Sequence, residues 1–280
     1  MKKTILFLIL ILPAALLLAV FDDYIPSARA RGMGGAYTGV ADDVSSIFFN
    51  PAGLTNVGFE AQIGFSNLYN QNFSEFKTAA VGYKLPKRWG TVALGARMFD
   101  VDFADENLMS EQVWSASHGF LLQSDIHSQI SFGYTANYYR LSFADEETDT
   151  SFGIDLGAIA FLHGRTKLGF SVTNLNQAVM GDANQHTLPS KLALGISYIP
   201  YDQVITSIEI KKDFAQETEF MGGVEIKPFD ILSLRFGVHQ NPATWNGGVG
   251  LSVKGIEIDL AYSTHAVLPG TFYGNVGYKF

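Results

Sequence analysis

The chain has 280 residues, 19 Lys and Arg against 27 Asp and Glu, a formal net charge of −8 and no cysteine. That balance argues against nucleic acid as a partner, because phosphate binding needs clustered Lys and Arg. The missing thiols exclude disulfides, a lipid-anchored cysteine and thiolate metal sites.

Charged residues make up 16 % of the chain, against roughly 25 % in soluble domains. A helical membrane protein would need several apolar runs of about 20 residues. There is one, at the start. Lys2 and Lys3 precede the apolar stretch Ile5–Val20, and Ala19 offers a small residue for cleavage. Residues 1–20 read as a Sec-type signal peptide, with a mature start near residues 20–24; an anchor helix is the alternative.

Residues 28–54 read ARARGMGGAYTGVADDVSSIFFNPAGL. Gly32 and Gly34 start a G-x-G pattern, but Tyr37 stands where a dinucleotide fingerprint needs its last glycine, and no strand precedes it. Met33, Ile47, Phe48, Phe49 and Leu54 make segment 21–60 too apolar to hang in water. Gly32, Gly34 and Gly35 suit tight turns. Asp42 or Asp43 would cap a short helix over Val44–Phe49. Asn50-Pro51 would stop it. Ala52 follows, and Gly53 would turn the chain toward the first strand.

From residue 61 the apolar period becomes two. In GIEIDLAYST (255–264), Ile256, Ile258, Leu260 and Tyr262 share one face, opposite Glu257, Asp259 and Ala261. Such segments number about fourteen, each near the ~9–11 residues of a tilted membrane strand. They fall at 61–69, 75–84, 90–101, 112–122, 128–142, 150–162, 166–174, 189–199, 203–211, 218–227, 230–239, 244–253, 255–264 and 271–280.

Three features favour a barrel over a sandwich. The polar faces carry mid-strand ionisable groups: Arg97, Asp155, Glu209, Glu225, Arg235, Glu257 and Asp259, with Lys191 near a strand start. No second apolar layer is available to cover the outer faces. Connections alternate: 102–111, 143–149, 175–188 and 265–270 are long; 85–89, 163–165, 200–202, 228–229 and 254 are short. Long outer loops and short periplasmic turns are the habit of outer-membrane barrels. Trp89, Trp114 and Trp245 fall at predicted strand ends, as interfacial girdles require. Phe280 closes the last apolar face, like the signal read by barrel-assembly machinery.

The fold expectation is therefore all-β: a 14-stranded antiparallel transmembrane β-barrel over 61–280, with 21–60 as a small N-terminal plug. Fourteen strands leave a lumen between one that side chains fill and an open channel, so a stopper is needed. A folded linker beneath the barrel is the alternative.

The stretch at 28–54 resembles the amino-terminal motif of the PorV/PorQ family, within the FadL-like outer-membrane transporter superfamily; its pattern is roughly A-R-A-x-x-M-G-G-A, then A-D-D, then F-x-N-P-A-G-L. LPSKLALGISY (188–198) is also similar. The resemblance implies a FadL-like barrel in the bacterial outer membrane and a plugged passage for hydrophobic molecules. The family's Asn-Pro-Ala falls on Asn50, Pro51 and Ala52. The chain is short for the family, which argues against an elaborate outer groove.

Two further functions stay open: a non-transporting accessory of a type IX-like secretion system, whose partners would be secretion proteins, and a purely structural barrel. The lumen charges are expected to pair with one another and hold the plug. Two acidic stretches, Asp100, Asp102, Asp105, Glu106 and Glu111, then Asp145, Glu146, Glu147 and Asp149, read as solvated outer loops. His118 shares a lipid-side face with Trp114 and Phe120, away from Ser115 and Ser117. No catalytic constellation, metal spacing or cofactor motif is visible, and no enzyme activity is expected.

Overall fold

Period-two patterning ends in a closed sheet. The computed structural model describes residues 21, 24–71, 73–103, 106–144, 148–181, 185–214 and 216–280. The expected leader 1–20 lies outside them, as do Asp105, Asp145, Glu146 and Glu147. The strands are β1 (Phe59–Asn67), β2 (Ser74–Lys84), β3 (Thr91–Phe103), β4 (Glu106–Ser124), β5 (Ser128–Phe143), β6 (Asp149–Leu162), β7 (Thr166–Thr173), β8 (Val179–Met180), β9 (His186–Thr187), β10 (Lys191–Tyr201), β11 (Val204–Asp213), β12 (Thr218–Phe229), β13 (Leu232–Gln240), β14 (Thr244–Val253), β15 (Ile256–Ser263) and β16 (Thr271–Lys279). β8 and β9 form a small hairpin of their own. The other fourteen form one antiparallel barrel, closed where β1 pairs with both β2 and β16.

The exterior is oily. Ile63, Phe65, Leu94, Ile196, Ile208, Leu260 and Phe272 are all more than 45 % exposed, while inward neighbours such as Gln62, Ser197, Glu209 and Asp259 are buried. In water so large an apolar surface would aggregate; hydrocarbon tails are the solvent it suits.

Connections still alternate. One rim carries 144–148, 174–190 and 264–270, and the other carries 163–165, 202–203, 230–231 and 254–255. The expected long link at 102–111 is absent. β3 and β4 keep pairing through Asp102↔Asn107 and Phe103↔Glu106. Ladder hydrogen bonds are indifferent to side-chain polarity, so the hairpin runs on past the apolar band. Its acids are built into it: Asp100 accepts from Ser110 Oγ at 2.7 Å and Asp102 from Asn107 Nδ2 at 2.9 Å. Because β4 starts at Glu106, Trp114 lies well inside a strand rather than at its end. Trp89 and Trp245 keep their end positions.

Residues 24–57 run inside the cylinder. Helix α1 (Ala28–Gly32), capped by Ser27, is followed by 3-10 turns at Val44–Phe48 and Pro51–Asn56. Met33, Tyr37, Val40, Val44, Leu54 and Val57 are completely buried.

Inward-facing glycines of the wall make the room. A Cβ at Gly237 would lie 2.1 Å from Gly34 N, one at Gly133 2.4 Å from Pro51 C, and one at Gly169 2.2 Å from Thr38 O. The plug's backbone rests directly on the backbone of the wall.

Candidate functional site

One arginine joins the plug to a network of charges on the wall. Arg29, on α1, donates to Glu225 of β12 through Nε (2.9 Å) and Nη2 (3.1 Å). Its Nη1 reaches Asp42 at 2.6 Å, Tyr37 Oη at 3.0 Å and Asp43 at 3.1 Å. Glu225 also accepts from Arg235 Nε at 2.6 Å, and Arg235 Nη1 bonds Asp259. Buried charges persist when paired and hydrogen-bonded, and this chain of groups satisfies that condition from plug to wall. Burial alone would lower the Arg29 pKa, but Asp42 and then Glu225 reverse that and raise it well above the usual range. Burial would raise the Asp42 carboxyl; Arg29 and then Lys167 outweigh it and hold it well below the usual range. Burial pushes the Tyr37 hydroxyl up, so it stays protonated and donates to Asp43 at 2.5 Å.

Asp43 is the cap of the first 3-10 turn, accepting from Ser45 N at 2.9 Å. Asp42 instead serves the ion pairs. Gly34 and Gly35 occupy the left-handed region, at φ +69° and +87°, as tight turns require. Gly32 and Gly53 do not. Gly32 ends α1 against Arg235 and Gly248, and Gly53 sits inside the second 3-10 turn, where a Cβ would lie 2.4 Å from Ala41 O. They are glycine for close approach rather than for a turn.

Asn50 is wholly buried. Its Nδ2 donates to Thr38 O (2.9 Å) and Ala158 O (3.2 Å), and its Oδ1 accepts from Ala52 N (3.2 Å). Pro51 opens the second 3-10 turn, against Gly133, and Ala52 packs in the plug core. The Asn-Pro-Ala triplet thus joins plug to plug and plug to wall. On β11, Glu209 takes Thr38 N (2.7 Å) and Thr38 Oγ1 (2.9 Å).

Between the plug and the long-loop rim lies a cavity of about 120 Å³. Phe48 and Phe49 of the plug border it, with Phe76, Phe99 and Tyr139 from the wall and Leu188-Pro189 from the loop that carries β8 and β9. That loop folds inward: Ala178, Met180 and Leu188 are buried against Val113, Tyr139 and Leu141. Asn174 pins it, donating to Leu188 O at 2.9 Å and accepting from Ala178 N at 2.8 Å.

The expected lumen charges all lie on inward faces, but among the described residues only Glu225, Arg235 and Asp259 pair with one another. Asp155 accepts from Asn137 Nδ2 (2.7 Å) and Asn174 N (2.8 Å), and Lys191 stands 3.8 Å from Asp213. Glu257 is half-buried beside Asp259 on the face of β15. Arg97 departs from the expected pairing. Its guanidinium lies 5.5 Å over the Phe48 ring and its buried Nε has no hydrogen-bond partner.

Arg29, Tyr37, Thr38, Lys167 and Asn174 escaped the sequence reading. Ser27 before ARARG was the available signal for α1. On the outer wall, His118 Nε2 lies 2.6 Å from Trp89 O, while Ser115 and Ser117 bond inward groups. Among the described residues no cluster of acids and histidines is arranged for a metal ion.

No protein-family model and no curated protein matches the chain. Solved structures do. The toluene transporter TodX of Pseudomonas putida aligns over 92 % of this chain and 98 % of its own, at 13 % identity and a TM-score of 0.59. A deltaS2 mutant of the TodX monoaromatic hydrocarbon channel covers 91 % and 98 %, at 12 % identity and a TM-score of 0.61. A FadL homologue of Pseudomonas aeruginosa covers 90 % and 98 %, at 12 % identity and a TM-score of 0.59. At such identities the likeness is one of fold alone: the closed antiparallel β-barrel that these FadL-like structures share.

Proposed function

We propose that this chain is an integral barrel of the bacterial outer membrane, cleaved from its leader, that takes up small hydrophobic molecules from the long-loop side and passes them by displacement of the plug. The observation that carries this is the cavity of about 120 Å³ bounded by Phe48 and Phe49. A dry apolar cavity of roughly 150 Å³ holds a benzene ring; this space is somewhat smaller and sets Arg97, Asp155, Lys191 and Glu209 beside its aromatic rings, so it suits a short alkyl segment or a small ring with a polar end. The neighbours described as transporters of toluene and monoaromatic hydrocarbons support the same reading. Calorimetric titration of the detergent-purified barrel with toluene and with a long-chain fatty acid tests it. Saturable binding of at least one, lost in Phe48→Trp, is expected; no binding of either overturns it.

A second reading keeps the PorV/PorQ resemblance in its stricter sense, as a non-transporting secretion accessory. The packed plug favours it, since Met33, Tyr37, Leu54 and Val57 are fully buried. Its partners would be secretion-system proteins docked on the loops. Affinity capture from membranes that returns a translocon, alongside failed ligand titration, would select it.

A further inference from the structure

One arc of the short-turn rim is basic. Three consecutive turns, 85–90, 125–127 and 163–165, and the strand end before them carry exposed Lys84, Lys87, Arg88, His127, His163 and Arg165. The acid among them is Asp125, whose carboxylate already accepts from His127 N (2.8 Å) and Ser128 N (2.7 Å). Among the described residues, Lys84, Lys87, Arg88 and Arg165 form no ion pair. Arg165 is only positioned, through Nη1 to Pro200 O at 2.6 Å.

Two of the turns, 125–127 and 163–165, are stitched to each other. His163 N donates to His127 O at 2.7 Å, and the two imidazoles lie 5.8 Å apart. That end of the arc is thus held in place, with Arg165 beside it, while Lys84, Lys87 and Arg88 stand exposed at the other end. Elsewhere on this rim Asp202 and Asp230 share the turns with Lys227 and Lys254, and Lys227 lies 4.0 Å from Glu225; the long-loop rim carries Glu75, Asp100, Asp102 and Asp149, with Lys77 beside Glu75 and Asp100.

Apolar side chains share the arc: Trp89 is 68 % exposed, Leu122 68 % and Ile126, at a turn tip, 95 %. A soluble acidic protein would match the cations alone. A bilayer interface matches both, taking aromatic and aliphatic groups at headgroup depth while its phosphates meet the cations.

We propose that this arc is a binding surface for anionic phospholipid headgroups of the periplasmic leaflet. It rests on the membrane orientation proposed above, with short turns periplasmic, but not on transport. Lipid A phosphates carry similar chemistry and lie in the other leaflet, beside the acidic rim.

The test places the full barrel in phosphatidylethanolamine nanodiscs with and without phosphatidylglycerol and measures thermal unfolding. A higher midpoint with phosphatidylglycerol, shrinking at high salt, is expected. The quadruple variant K84Q/K87Q/R88Q/R165Q loses the increment, while K227Q/K254Q keeps it. Equal increments in both variants, or none in the parent protein, overturn the proposal. If the quadruple variant does not fold, native mass spectrometry of the parent protein decides: retained phosphatidylglycerol enriched over phosphatidylethanolamine supports the arc, and no enrichment, or retention of lipid A instead, overturns it. A barrel that binds no toluene or fatty acid but keeps the lipid increment would sink the transport reading alone.

Discussion

Arg29 and Glu225 face each other as a two-pronged pair, Nε to Oε2 at 2.9 Å and Nη2 to Oε1 at 3.1 Å, with the Glu225 side chain wholly shielded from solvent. The planar fork of arginine suits this geometry as lysine cannot. Arg29→Met would leave Asp42, Asp43 and Glu225 short of a cation in a low-dielectric lumen. Removing one partner of a buried pair costs about 3–5 kcal/mol. The expected outcome is a plug that detaches while the barrel persists: raised conductance in planar bilayers and faster proteolysis near α1. Unchanged conductance would mean that the plug is held mainly by packing.

The same groups set a pH window. Asp42 has a folded-state pKa held below its ordinary value. Its contribution is complete above the unfolded carboxylate value of about 3.9 and fades as pH falls below it. Tyr37 is raised, so its contribution holds up to about pH 10 and fades above. Conductance and thermal midpoint should therefore stay flat between about pH 5 and 9 as far as these two groups are concerned. A plug that opens near pH 6 would show that another group governs it.

The wall glycines make a second, independent demand. Gly237→Ala and Gly133→Ala would drive a methyl into plug backbone, at 2.1 Å and 2.4 Å respectively. Overpacking costs typically about 1–3 kcal/mol, and backbone yields less readily than a side-chain tip. Gly247 points outward with nothing within 4 Å of its built Cβ, and Gly247→Ala should be within about 0.5 kcal/mol of the parent. Urea titrations in detergent compare the three. Equal behaviour would mean that the plug is not seated on the wall.

Those glycines show where the sequence was readable and where it was not. Period-two alternation located all fourteen barrel strands because each one meets lipid on one side and a polar lumen on the other. It misjudged the 102–111 link because pairing at Asp102↔Asn107 depends on backbone bonds that side-chain polarity does not reveal. A cap at Asp42 or Asp43 was legible, because capping is local in sequence, and Asp43 is the one that caps. Arg29 was not, since its wall partner Glu225 is 196 positions away. Mid-strand Gly133 and Gly169 carry the usual sign of close backbone approach, but what approaches them is visible only once residues 24–57 are inside.

Among the described residues Arg97 forms no ion pair; its guanidinium lies over the Phe48 ring at 5.5 Å, in a cavity that Asp155 also lines. A guanidinium in a partly dry lumen gains from any anion that reaches it. Ligands with an acidic head should therefore bind more tightly than neutral ones of equal size. A hydrogen bond to a charged group is worth about 1.5–3 kcal/mol, or roughly 10- to 150-fold in affinity. Arg97→Met keeps an unbranched apolar side chain at this place while removing the guanidinium that lies over Phe48. Benzoate affinity should fall by roughly that factor, with toluene affinity changed less than about threefold. Equal losses for both ligands would assign Arg97 to the shape of the cavity; no loss for benzoate would remove it from the ligand path.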